Sequence, residues 1–291
     1  MPHGVPCGTY PLMTNGLTPS NQPLMGQRVT RSPARFLRAA VSLGCLLMFA
    51  LLRPARGLEP LSVVDFSTQA DVAAGPAMAS WFDSQKGRID VKFGGPAYFF
   101  LRQGSLHLVA KPGPFSSSIL LWRLLKREDK VILRLTPDGF RVSPRSHRRI
   151  EVTMAPVRLP GHGADVTDSD RNDACFYLLV AFDGPRHLYQ GQRIPDTLAY
   201  VWADGAWKTG AEVGRERKYG DFMRHIAIGR GPDRLAELRT VVRDIDADFR
   251  LAYPERADKG VPDVVEVGLM IDSNTVKSDA ESMLRSVRFL P

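Results

Sequence analysis

Ile150-Glu151-Val152-Thr153-Met154 alternates apolar and polar side chains, the period-two pattern of a strand with one face on a core and the other in water. A second stretch, Ala174 to Phe182, is apolar throughout and reads as a central strand covered on both faces. Between turn residues the same kind of short run recurs at Leu61 to Phe66, Ile89 to Phe93, Tyr98 to Arg102, Leu106 to Lys111, Ile119 to Leu125 and Val131 to Leu135. It recurs again at Ile150 to Leu159, Cys175 to Phe182, Leu198 to Trp202, Phe222 to Ile228, Val264 to Ile271 and Val287 to Leu290. That many strands in one chain predict two packed sheets. Gln103-Gly104 reads as a tight hairpin turn and Ala203-Asp204-Gly205-Ala206 as another turn, which favours antiparallel order. One segment breaks the rhythm: Leu235, Leu238, Val241, Val242, Ile245 and Phe249 recur at spacings of three and four, with Asp233 as N-cap and Pro254 as the stop. The expected fold is therefore a mostly β, antiparallel two-sheet β-sandwich, jelly-roll-like, with one amphipathic helix.

The chain has 291 residues, 44% hydrophobic and 24% charged, with 25 Gly and 22 Pro, a composition that is neither disordered nor fibrous. No run reaches the roughly 18 to 20 apolar residues of a spanning helix, which excludes a multi-pass membrane protein. The formal charge of +8 would suggest nucleic acid, but its placement argues otherwise. Residues 1–57 carry Arg28, Arg31, Arg35, Arg38, Arg53 and Arg56 and no acidic side chain; 39 basic residues less these six leaves 33 against 31 acidic ones. No nucleic-acid partner is expected. The leader has the layout of an export signal: arginines, the apolar run Ala39 to Leu52, then Ala55-Arg56-Gly57, with Leu58 as the first mature residue. Starting at Met25 would give a signal of ordinary length. Residues 58–291 are expected to form a single domain, periplasmic or secreted, meeting a membrane only if the leader stays uncleaved. Of three cysteines, Cys7 and Cys45 lie in the leader, so Cys175 is alone in the mature chain and reads as buried and inert.

The blocks Asp168-Ser169-Asp170-Arg171-Asn172-Asp173 running on to Phe182, Leu198-Ala199-Tyr200-Val201-Trp202, Val242-Arg243-Asp244 with Phe249, and Met270-Ile271-Asp272-Ser273-Asn274-Thr275 resemble, in that order, an exported bacterial family. That family is catalogued as domain of unknown function 3047. Ser117 and Leu121-Trp122-Arg123 extend the resemblance, which spans the chain from about residue 80 onward. The chain departs from the family at Cys175, where an arginine is usual, and at Leu124, where a second tryptophan is usual. The resemblance implies an extracytoplasmic β-rich domain and supplies no catalytic residue.

Three groups of residues carry chemistry. Asp168, Asp170 and Asp173, with Asp165 and Asn172, offer the oxygen ligands that calcium needs; Asp173 and Leu179 stand where an EF-hand has Gly and Glu, so any calcium site is of another kind. Asp272 or Asn274 could join from another strand, although such turn residues also hydrogen-bond their own backbone. Trp207 and Tyr219, near Trp202 and Tyr200, are the candidates for an aromatic face that holds a sugar, with Trp202 read as core. Gly229-Arg230-Gly231-Pro232-Asp233-Arg234 lacks a third glycine and reads as a turn rather than a nucleotide loop. Arg141, Arg145, His147, Arg148 and Arg149 form a basic cluster that could meet anionic lipid or acidic polysaccharide. The histidines lack metal-ligand spacing and no Gly-x-Ser-x-Gly occurs. The expected function is noncatalytic binding of an envelope or extracellular carbohydrate. The alternatives are a polysaccharide hydrolase or lyase with paired carboxylates, and a structural or protein-binding envelope component.

Overall fold

The computed structural model describes residues 58–74, 77–78, 90–92, 98–111, 118–120, 132–136, 139–161, 163–168, 170–189, 192–204, 213–214, 222–232, 234–273 and 275–291. The expected leader, residues 1–57, and Ser117, Trp122, Trp207, Tyr219, Asp233 and Asn274 lie outside the described residues. In chain order the strands are β1 (Leu61–Asp65), β2 (Asp90–Lys92), β3 (Tyr98–Arg102), β4 (Ser105–Ala110), β5 (Ser118–Leu120), β6 (Ile132–Arg134) and β7 (Arg149–Arg158). They continue with β8 (Ala174–Tyr189), β9 (Gln192–Ala203), β10 (Val213–Gly214), β11 (Met223–Arg230), β12 (Arg239–Asp244), β13 (Val264–Asp272) and β14 (Ala280–Leu290). Helix α1 (Ile245–Ala252) and a 3₁₀-helix (Pro254–Lys259) separate β12 from β13.

Two sheets result. The first runs β12-β7-β14-β4-β3, with β1 beside β4 along the same flank of β14; the second runs β10-β11-β9-β8-β13-β6-β2, with β5 also on β13. This is the expected two-sheet sandwich, and its described strand pairs are antiparallel with one exception. β9 and β11 pair in parallel, Tyr200 beside Ile226, and the chain between Ala203 and Met223 supplies the long crossover that a parallel pair requires.

The main core lies between the sheets. Phe176, Leu178, Val180 and Phe182 of β8, and Leu198, Tyr200 and Trp202 of β9, meet Leu106, Leu108, Val152, Met154, Leu284, Val287 and Phe289 of the other sheet. The intervening side chains of β8 and β9, among them Tyr177, Leu179, Ala199 and Val201, join Val166, Phe222 and Met223 in a second cluster on the far side. Both faces of these two strands are buried, which is why their sequences carry almost no alternation. Residues 57–291 form one compact unit.

The helix differs from its expected span. Residues 239–244 are strand β12, paired along β7 from Arg239–Met154 to Asp244–Arg149, and α1 starts only at Ile245. Its N-cap is Asp244, whose carboxylate accepts the Ala247 amide at 2.9 Å. Arg234 and Ala236 have φ of 58° and 62°, incompatible with a right-handed helix through 235, and the β-branched run Thr240-Val241-Val242 pairs with β7 instead.

Candidate functional site

The acidic loop and the 272–275 turn do come together, at the end of the second sheet where β8 begins and β13 ends. Asp272 lies opposite Ala174 in the β8–β13 pair. Asp173, 1% exposed, accepts the backbone amides of Thr275 at 2.9 Å and Val276 at 2.6 Å, and the Thr275 hydroxyl donates to Asn172 Oδ1 at 2.9 Å. The Tyr177 hydroxyl donates to the Asn172 carbonyl at 2.6 Å. Asp168 accepts the Asp170 amide at 2.9 Å and takes Arg171 through Nε and Nη2 at 2.9 and 2.8 Å. The Asp170 amide, and after it the guanidinium, hold the Asp168 carboxyl below its ordinary range. Asp165 accepts the Thr167 amide and hydroxyl. These bonds are those of a doubly capped turn. Among the described residues, no three His, Cys, Asp or Glu side chains gather as metal ligands would.

The five-residue basic cluster disperses. Arg141 spans Asp183 and Asp263, Arg148 pairs with Asp244, Arg149 donates to the Pro291 carbonyl, and His147 bonds the Glu59 carbonyl. Cys175 is fully buried and burial pushes its thiol up, so it holds no thiolate.

Two constellations escaped the sequence reading. On the outer face of the first sheet, Tyr98 and Phe100 project from β3 because Phe99 and Leu101 turn inward, each 2% exposed. His107, directly across the hairpin from Phe100, stacks on it with centroids 4.5 Å apart and planes 12° apart; Tyr98 lies 6.4 Å from Phe100 at 24°. The Lys111 ammonium stands 5.6 Å over the Tyr98 ring, and the His107 Nδ1 is 3.1 Å from Glu281 Oε1. The result is a row of half-buried rings with a cation at one end and a carboxylate at the other. The register was legible: Gln103 and Gly104, with φ of 50° and 66°, make a two-residue turn that sets Arg102 opposite Ser105 and hence Phe100 opposite His107.

The second constellation gathers at the β8–β9 end. Asp196, 1% exposed, bonds His187 Nε2 at 2.8 Å and pairs with Arg256. Arg256 and Arg224 both lie over the Tyr253 ring, at 5.1 and 4.3 Å. The Tyr253 hydroxyl meets the Thr197 amide and the Thr197 and Phe222 carbonyls at 2.7 to 2.9 Å. Arg224 also holds Glu255 and the Ala252 carbonyl. This network ties the 3₁₀-helix to the start of the parallel β9–β11 pair. It escaped the sequence reading because its members come from β8, β9, β11 and the 3₁₀-helix region, far apart in sequence.

Fold and site together define a two-sheet β-sandwich with an aromatic row on one outer face and a capped acidic turn at the end of the other sheet. Residues 157–288 match the family described as Protein of unknown function (DUF3047), so the resemblance carried by the sequence blocks holds over that stretch, from the end of β7 through most of β14. No curated protein matches the chain.

Proposed function

We propose that the protein is an exported, noncatalytic sandwich that binds an envelope or extracellular carbohydrate, and that the Tyr98–Phe100–His107 row belongs to its binding face. The observation that carries this reading is the row itself. Aromatic rings on a sheet face offer apolar surface to the C–H face of a sugar ring, and the neighbouring Lys111, His107 and Glu281 offer donors and acceptors to its hydroxyls. Trp207 and Tyr219 stay in the proposal as further aromatic contacts. The noncatalytic part is supported by the acidic turn. Of the three carboxylates suited to such a pair, Asp168 is bound to Arg171 and to the Asp170 amide and Asp272 is 8% exposed, which leaves Asp170 as the exposed one and favours binding over paired-carboxylate hydrolysis.

The test is affinity electrophoresis of residues 58–291 through gels holding acidic or neutral polysaccharides. At least one polysaccharide retards the protein, and Phe100→Ala weakens that retention by roughly tenfold, the usual loss for a truncated aromatic anchor. Trp207→Ala is run beside it. Retardation by none of the polysaccharides, or retention unchanged in both variants, would overturn the reading.

A further inference from the structure

The β8–β9 ladder breaks register between Ala181 and Arg186 and then continues as a two-stranded arm, Arg186–Tyr189 against Gln192–Pro195. One side of the arm is clamped. His187 bonds buried Asp196 and stacks on the Phe222 ring at 5.9 Å, Ile194 is 2% exposed, and Arg256 closes on Asp196 from the 3₁₀-helix. The other side faces solvent. Leu188 is 77% exposed, exposed Arg193 lies directly across from it, and exposed Arg186 lies two residues before it on the same side. Neither arginine is in an ion pair among the described residues, whereas the acids nearby are taken: Asp183 and Asp263 by Arg141, Asp196 by His187 and Arg256, Glu255 by Arg224.

A lone exposed leucine is ordinary. Here it stands between two uncommitted guanidiniums on an arm whose inner side is pinned, so the backbone that presents the three side chains needs no ordering on binding. We propose that this arm seats the protein on a phosphate-bearing lipid surface, with Leu188 entering the acyl boundary and Arg186 and Arg193 meeting lipid phosphates. The leucine decides between anionic partners, because a hydrophilic acidic polymer would gain nothing from it. The proposal does not rest on the carbohydrate reading.

The test is cosedimentation of residues 58–291, the compact unit without the leader's own apolar run, with vesicles of phosphatidylcholine alone or mixed with phosphatidylglycerol. The protein pellets with the mixed vesicles and not with the neutral ones, and added salt releases it. The double variant Arg186→Glu/Arg193→Glu lowers the bound fraction by roughly tenfold or more, and Leu188→Ser lowers it severalfold. All three positions are exposed, so the melting temperature stays that of the parent protein. Absence of binding to mixed vesicles, or binding that survives the double substitution, overturns the proposal. So does binding that needs the arginines but ignores Leu188→Ser, which would mark a purely ionic contact of the kind an acidic polymer makes.

Discussion

Gly229 shows how much a single position can fix. A Cβ there would stand 2.2 Å from the ring of Trp202, which fills the space beside β11 and donates its indole N–H to the Gly231 carbonyl at 3.1 Å. Gly229, still within β11, and Gly231, just beyond it, thus serve a buried tryptophan; the turn starts only after Arg230 and leads to strand β12 rather than to a helix cap. Asp204, just past the end of β9, carries a different lesson. Burial raises its carboxyl above the ordinary 3.8, against a hydrogen bond from the Gly161 amide. A carboxylate with a raised folded-state pKa destabilises the fold while ionised, and protonation as the pH falls through that value removes the penalty. Asp204→Asn should therefore unfold at higher urea than the parent protein at pH 7, and the gap should close by about pH 4. Asp65, Asp168 and Asp246 are shifted the other way, Asp65 by Ser67, Asp168 by the Asp170 amide and Asp246 by Arg250. Their stabilisation is lost below the ordinary carboxylate range, equally in both proteins. Urea midpoints of the pair at the two pH values check this, and a gap that stays constant with pH would place the effect elsewhere.

Helix α1 is held by one buried network more than by its own turns. Asp248, 4% exposed, accepts the Tyr200 hydroxyl at 3.0 Å and both Nε and Nη2 of Arg243, joining the helix to β9 and to the inward face of β12. Asp248→Ala leaves a part-buried guanidinium and a buried hydroxyl without their acceptor and should cost about 3–5 kcal/mol. Tyr200→Phe removes one donor to that carboxylate and should cost less, about 1.5–3 kcal/mol. Urea unfolding of the two variants orders them, and equal losses would show that the arginine pair contributes nothing. The same element marks the boundary of what the sequence discloses. Strands that pair with their sequence neighbours, such as β3 and β4, announce themselves by alternation and turn residues, and so, through their register, does the Phe100–His107 stack. Residues 238–245 carry apolar side chains that fit spacings of three and four as well as a strand, and only the distant partner β7 decides between them. The hydrogen bonds that Asp173 accepts from the Thr275 and Val276 amides depend on β8 and β13 lying side by side, about a hundred residues apart in sequence, and short-range pattern holds no such information.

At the scale of the whole molecule, a sandwich must guard its open edges, and this one has little net charge to help it. Residues 58–291 carry 33 basic side chains against 31 acidic ones, a balance that favours association. In the first sheet the outer flank of β3 is partly closed by Val72, which exchanges backbone hydrogen bonds with Leu101. β12, at the opposite edge, alternates so that Val241 packs on the core while Val242 is 45% exposed, and its two arginines point inward. Arg243 reaches Asp248, and the Arg239 guanidinium lies 5.1 Å over the Trp202 ring. Charged groups directed into the sandwich from an edge strand resist the addition of a foreign strand, because that strand would shut them off from the water they still reach at the open edge. Arg239→Val removes one of these charges without touching the Asp248 network and raises the β-propensity of the strand. The variant should fold, melt within a few degrees of the parent protein, and sediment as progressively larger species as its concentration rises, over a range in which the parent protein does not change. A sedimentation coefficient independent of concentration in both proteins would show that β12 is guarded by Arg243 alone or by its short length of six residues.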